Sequence, residues 1–138
     1  MVVNRPPEIL EIKSDTSELK KVEYFLEDIF TRYNLSKKHF NKLYLCVSEA
    51  VINAVKHGNK NDLSKTVTVK ISCLANDLSV WIEDEGEGFD SSELKNPTVK
   101  ENIRKESGRG IFIIKTITEN IEFNEKGNCI QFKINCSE

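Results

Sequence analysis

Glu49 and Asn53 stand four residues apart within residues 43–59, a stretch that otherwise reads as one apolar helix. At ~100° per residue, Phe40, Leu43, Val47, Ala50, Val51 and Ala54 make a continuous apolar face, and Glu49, Asn53 and Lys56 fall together opposite it. A carboxylate one turn from a carboxamide can take a proton as a general base while the amide oxygen ligates a hard cation. Plain solvation accounts for the same pattern, because Lys38 and Lys42 project on the Glu49 side and could pair with it. Asp84 continues the period-2 parity of Leu78, Val80 and Ile82, which points its carboxylate inward at a strand end. There it either accepts from a ligand donor or caps its own turn into Gly86. Gly86 and Gly88 free the following backbone for positive φ or for close approach to another group. Ser107, Gly108, Arg109 and Gly110 directly precede Ile111, Ile114, Ile117 and Thr118 at helical spacing, so the free amides of a helix N-terminus would face an anion.

The elements that must hold these residues follow from hydrophobic periodicity. Residues 8–13 form a short strand with Leu10 and Ile12 on one face. Asp15 offers an N-cap with Glu18 as its capping-box partner, and Leu19, Val22, Leu26, Ile29, Phe30 and Tyr33 continue at helical spacing. Ser36 caps the long helix, which ends where Gly58 and the polar run 59–62 supply C-cap and loop chemistry. Residues 67–73 and 78–84 alternate as a β-hairpin around residues 75–77, and residues 121–124 and 129–134 form a second one around Lys126, Gly127 and Asn128. Asp90 and Glu93 read as a helix start, and residues 96–106, polar and broken by Pro97, read as a surface loop.

The chain has 138 residues, one domain's worth, with 22 acidic and 20 basic residues and a net charge of −2. No global pull towards nucleic acid or anionic membrane follows from that balance, so a bound anion has to be held locally. Cys46, Cys73, Cys129 and Cys136 are scattered, with no C-x-x-C pair, and read as small core residues in a reducing compartment. The sequence carries neither a signal-peptide pattern nor an apolar run of membrane-spanning length, so a soluble cytoplasmic protein is expected. A nucleotide asks for a carboxylate acceptor for an adenine amine, an oxygen-type metal ligand and backbone amides for its phosphates. Asp84, Asn53 and residues 108–110 supply these in turn, and Glu49 is left as a base beside the metal.

These residues carry a resemblance. Glu49 and Asn53 with Lys56, His57 and Gly58, then Asp84 with Gly86, Gly88 and Phe89, then Ser107 to Gly110, resemble the N box and two glycine boxes of the GHKL ATPase (Bergerat) fold. Within that superfamily the helix run of residues 47–58 is most similar to the bacterial anti-sigma factor serine/threonine protein kinases, and the resemblance spans nearly the whole chain. It implies a single 1–138 domain with the α+β two-layer architecture, in which helices cover one face of a mixed, mostly antiparallel sheet.

By the same resemblance, Glu49 would be the catalytic base towards a substrate serine, and Asn53 would ligate Mg²⁺ beside bound ATP. Asp84 would accept from the adenine amine, with Gly86 and Gly88 admitting base and ribose. Lys56, His57, Ser107, Gly108, Arg109 and Gly110 complete the nucleotide site, and residues 96–107 would be the ATP lid. The implied partners are a sigma factor and a small, STAS-like anti-anti-sigma substrate, with a homodimer as the assembly and no direct nucleic acid or membrane contact. Two positions depart from the family pattern. Glu106 stands where some family kinases have arginine, which leaves Arg104, Lys105 or Arg109 to reach the γ-phosphate, and Gly127-Asn128 replaces a common Gly-Thr. A non-catalytic ATP-binding and partner-binding module of the same fold is the rival reading. A detached histidine sensor-kinase domain is a third, and no phospho-acceptor helix pair stands ahead of the fold.

Overall fold

The computed structural model describes residues 6–86, 108–118 and 121–137, without the side chains of residues 108 and 109. Strand β1 (Glu8–Lys13) leads through a 3-10 turn (Thr16–Glu18) into α1 (Leu19–Arg32). A second 3-10 turn (Lys37–His39) opens α2 (Phe40–Asn53), which runs on into a π turn (Ala54–Gly58). The hairpin β2 (Thr66–Leu74) and β3 (Asp77–Asp84) follows, then α3 (Gly108–Ile117), β4 (Ile121–Phe123) and β5 (Cys129–Asn135). The five strands form one sheet in the order β1-β2-β3-β5-β4. Every pairing among the described residues is antiparallel, the limiting case of the mostly antiparallel sheet that was expected.

Period-2 alternation divides the sheet into two unlike faces. Val69, Ile71, Val80, Ile82 and Phe132 are buried on one face against Val22, Leu26 and Ile29 of α1 and Leu43, Val47 and Val51 of α2. Both helices present apolar residues at three- and four-residue intervals, which requires a stripe of each to be buried against the sheet. Phe30 of α1 meets Phe40 of α2 edge to face, with ring centroids 5.3 Å apart. The other face carries a row across all five strands made by Ile9, Lys70, Trp81, Gln131 and Glu122. In that row the Lys70 ammonium lies 5.0 Å from the Trp81 ring centroid. No helix among the described residues is long and apolar enough to cross a membrane.

Local chemistry departs from expectation at several places. The Asp15 carboxylate accepts from the Ser17 amide at 3.0 Å, but Glu18 reaches the Lys13 amide at 3.4 Å instead of that of Asp15. The capping box is therefore not reciprocal: α1 begins through a 3-10 turn, and the Asp15 amide is already bonded to the Lys13 carbonyl at 2.8 Å. Ser36 makes no side-chain cap either; its carbonyl accepts the His39 amide at 3.2 Å as the 3-10 turn closes. Cys46 and Cys136 are buried core thiols, whereas Cys73 and Cys129 are only half-buried. Cys129 pairs with Glu83 on the face of the sheet away from the core, so it is not a core residue.

Asn59 is the largest departure. It heads a run that reads as loop, yet it is 1% exposed. Its amide nitrogen donates to Ser14 Oγ at 2.7 Å and to the Thr66 carbonyl at 2.8 Å, and its Oδ1 accepts the Glu85 amide at 2.8 Å. One side chain thus joins the exit of α2 to the ends of β1, β2 and β3. Replacing it leaves the Thr66 carbonyl and the Glu85 amide, both part-buried, without these partners, each costing about 1–3 kcal/mol where solvent does not take their place. Asn59→Ala is expected to lower the unfolding free energy by about 3 kcal/mol in denaturant titration; a change below about 0.5 kcal/mol would show that solvent replaces these bonds without loss.

Candidate functional site

Asp84 ends β3 on the core face and is 9% exposed. Its Oδ1 accepts the Gly86 amide at 2.8 Å, so the carboxylate does cap its own turn. The same carboxylate lies directly over Gly58. A Cβ built on Gly58 would stand 2.2 Å from Asp84 Oδ2, and one on Gly86 would stand 2.0 Å from the Gly58 carbonyl oxygen. Gly58 and Gly86 are thus required for close approach of two backbones around one carboxylate. Burial is the leading influence on Asp84 and holds its carboxyl above the ordinary value of 3.8, opposed by the Gly86 hydrogen bond.

The π turn delivers Gly58 to this position. The Asn59 amide donates to the Ala54 carbonyl five residues back at 2.8 Å, a widened turn of a kind frequent at functional sites.

The second half of the site lies further back on α2. A Cβ on Gly110, in the first turn of α3, would stand 2.9 Å from Asn53 Nδ2 and 3.0 Å from Glu49 Oε2. Glu49 and Asn53 are half-buried, and no described residue hydrogen-bonds to either side chain. Neither Lys38 nor Lys42 makes an ion pair with Glu49 among the described residues. The polar strip instead faces the helix start where residues 108–110 have amides without intrahelical partners. From Glu49 to Gly58 the helix and its π turn run about 13 Å at ~1.5 Å per residue. A buried acceptor at one end, and at the other a carboxylate and a carboxamide without hydrogen-bond partners among the described residues beside the amides of a helix start, suit an elongated, base-plus-phosphate ligand.

Not every candidate joins these two clusters. Lys56 and His57 are exposed on the π turn, where Gly58 makes the close packing. Arg109 lies in the first turn of α3 with Gly108 and Gly110. Gly88, Phe89, Asp90, Glu93, Arg104, Lys105, Glu106, Ser107 and the expected lid at residues 96–107 lie outside the described residues. Sequence reasoning missed the part played by Asn59 and by Asn128, both of which bind backbone groups of residues 84 and 85. Asn59 sits in a run that already accounts for it as turn chemistry, and Asn128 is singled out only as a departure from the family's Gly-Thr, with no role of its own.

Comparison with known proteins gives a consistent result. The model of the histidine kinase-like ATPase domain matches residues 12–134. The serine-protein kinase RsbW of Oceanobacillus iheyensis is 27% identical over 107 residues, covering 73% of this chain and 68% of that protein. The anti-sigma F factor of Clostridium perfringens is 36% identical over 84 residues, 58% of this chain and 59% of that protein. The matched stretch thus spans about three-fifths to two-thirds of these relatives' lengths. A crystal structure of the RsbU and RsbW domains of Rv1364c from Mycobacterium tuberculosis shares the fold, with a TM-score of 0.64 at 13% identity. That likeness covers 94% of this chain and 32% of the other.

The Asp84 packing generates a pH test. Because its folded value is raised above the unfolded one, the charged form costs stability at pH above the folded value, and the cost is relieved as pH falls towards 3.8. Asp84→Asn, which removes the charge, is expected to be more stable than the wild type near pH 7 and to lose that advantage on approach to about pH 4. Denaturation at a series of pH values measures the difference, and an offset that does not vary with pH contradicts it. Gly58→Ala is expected to destabilise the protein by about 1–3 kcal/mol through the clash with the same carboxylate.

Proposed function

This chain belongs to the histidine kinase-like ATPase domain family, and we propose that it is an ATP- and Mg²⁺-dependent serine/threonine protein kinase acting as an anti-sigma factor. On this reading it sequesters a sigma factor in the cytoplasm, as a homodimer, and phosphorylates a small anti-anti-sigma protein that relieves the sequestration. The observation that carries the reading is the convergence of Glu49, Asn53 and Gly110, in which a carboxylate and a carboxamide both lie against the first turn of α3. The names of the relatives, a serine-protein kinase and an anti-sigma F factor, support the same assignment.

The residues present suit ATP and Mg²⁺. The Asp84 carboxylate is deep enough to accept an exocyclic amine, Asn53 Oδ1 is a neutral oxygen donor of the kind Mg²⁺ takes, and the α3 amides from Gly108 to Gly110 suit phosphate oxygens. ATP, when bound, would supply the γ-phosphoryl group, and Mg²⁺ would neutralise charge as it transfers. The chain's own contribution would be orientation and one proton: Glu49, one turn from Asn53, would receive the proton of the attacking serine hydroxyl as the serine oxygen bonds to phosphorus and ADP departs. A half-buried carboxylate with no described donor is available for that step.

Glu49→Gln keeps the shape of the side chain and removes the base, so it is expected to bind ATP within about threefold of wild type while transfer to the anti-anti-sigma protein falls at least about a hundredfold. Asn53→Ala is expected to abolish the Mg²⁺-dependent part of ATP affinity. Radiolabelled ATP and equilibrium binding with and without Mg²⁺ measure both. Regulation of the sigma factor that needs ATP, yet proceeds without label transfer and survives Glu49→Gln, would establish the non-catalytic module instead.

A further inference from the structure

β3 and β5 stay in register as far as Glu83 opposite Cys129, one residue short of Asp84. Beyond that pair a single residue satisfies both backbone groups of Asp84. The Asp84 amide donates to the Asn128 carbonyl at 2.8 Å, and Asn128 Nδ2 donates to the Asp84 carbonyl at 2.8 Å. The carboxamide thus stands in for the ladder bond that the turn before β5 leaves unmade.

Its orientation is set from behind. Asn124 Nδ2 donates to Asn128 Oδ1 at 2.7 Å, while Asn124 Oδ1 accepts the amides of Gly127, Asn128 and Cys129 at 2.8, 3.0 and 3.1 Å. Flipping the Asn128 amide would set its oxygen against the Asp84 carbonyl and its NH₂ against that of Asn124, so only one orientation satisfies both ends. Across the strand end, Asn59 holds the Glu85 amide and Asp84 Oδ1 holds that of Gly86. The carboxylate therefore projects over Gly58 from a backbone fixed on both sides.

We propose that Asn128, aligned by Asn124, is a positioning residue that fixes the depth and direction of the Asp84 carboxylate and thereby sets the preference for adenine over guanine nucleotides. The inference rests on the ATP reading of the site. Adenine presents an amine donor at its six-position, where guanine presents a carbonyl acceptor. A carboxylate that cannot swing away attracts the first and repels the second, whereas a loosened strand end softens both effects.

Binding of ATP and GTP is to be measured by calorimetry on the full chain, together with melting temperatures, for wild type, Asn128→Ala and Asn128→Asp. The aspartate is nearly isosteric but replaces the donor to the Asp84 carbonyl with an acceptor. Both variants are expected to bind ATP about tenfold more weakly, with the ATP-to-GTP preference narrowed about tenfold, roughly the effect of one such bond. Asn128→Ala in the Asp84→Asn background is expected to add little, as it must if it acts through Asp84. Hydrogen exchange at the Asp84 amide in the nucleotide-free protein is expected to quicken in both variants while that at Val80 does not. An unchanged preference in a folded variant overturns the proposal, as does an equal loss for both nucleotides alongside a lowered melting temperature, which is what a merely structural role would give. A wild-type chain that binds neither nucleotide defeats the ATP reading and the inference with it, whereas wild-type ATP binding with insensitive variants defeats the inference alone.

Discussion

A carboxylate cannot be buried at the end of a central strand unless the chain makes room for it and supplies donors. Asp84 meets both conditions through two glycines: Gly86 provides an amide to Oδ1, and Gly58 leaves the space that any side chain would fill. This contact also locks α2 to β3, because the Gly86 position abuts the Gly58 carbonyl. The direction of α2 across the sheet, and hence the placement of Glu49 and Asn53 in its last turns, is tied to that junction. The buried acceptor on β3 and the polar strip on α2 are linked through that contact.

Most of this architecture was legible in the sequence, because amphipathic periodicity is a local signal and the elements are regular. The spacing of Val22, Leu26 and Ile29, the alternation from Val67 to Cys73, and the inward parity of Asp84 all correspond to what forms. The apolar residues after Gly110 likewise mark α3. Where sequence reasoning fell short, the determining partner is remote in the chain. Asn59 finds Ser14, Thr66 and Glu85, and Asn128 finds Asp84, each through a carboxamide that looks locally like an ordinary turn residue. Ser36 fails in the opposite way: it has the right type at the right place, but the 3-10 turn is closed by its backbone carbonyl.

The candidate site was legible in composition rather than in geometry. Glu49 and Asn53 are equally compatible in sequence with a solvated stripe, and the sequence does not reveal their neighbour Gly110, a residue more than fifty positions away that packs against both. The π turn has no sequence signature at all. Its extra residue per turn follows from the amide of Asn59 reaching Ala54, which in turn is stabilised because the Asn59 side chain is anchored to three strand ends. Local irregularity and long-range bonding are here one phenomenon.

Trp81 is the chain's one tryptophan, and it lies on the face of the sheet away from α2, stacked beneath the Lys70 ammonium. Asp84, three residues further along the same strand, points to the other side. The protein therefore carries its principal intrinsic fluorophore on the far side of the sheet from Asp84 and the candidate site. Emission from Trp81 reports the exposed face of the sheet and whatever covers it, and among the described residues the link from the candidate site to the indole is β3 itself. A spectral change on adding nucleotide would accordingly report a change on the face of the sheet opposite Asp84.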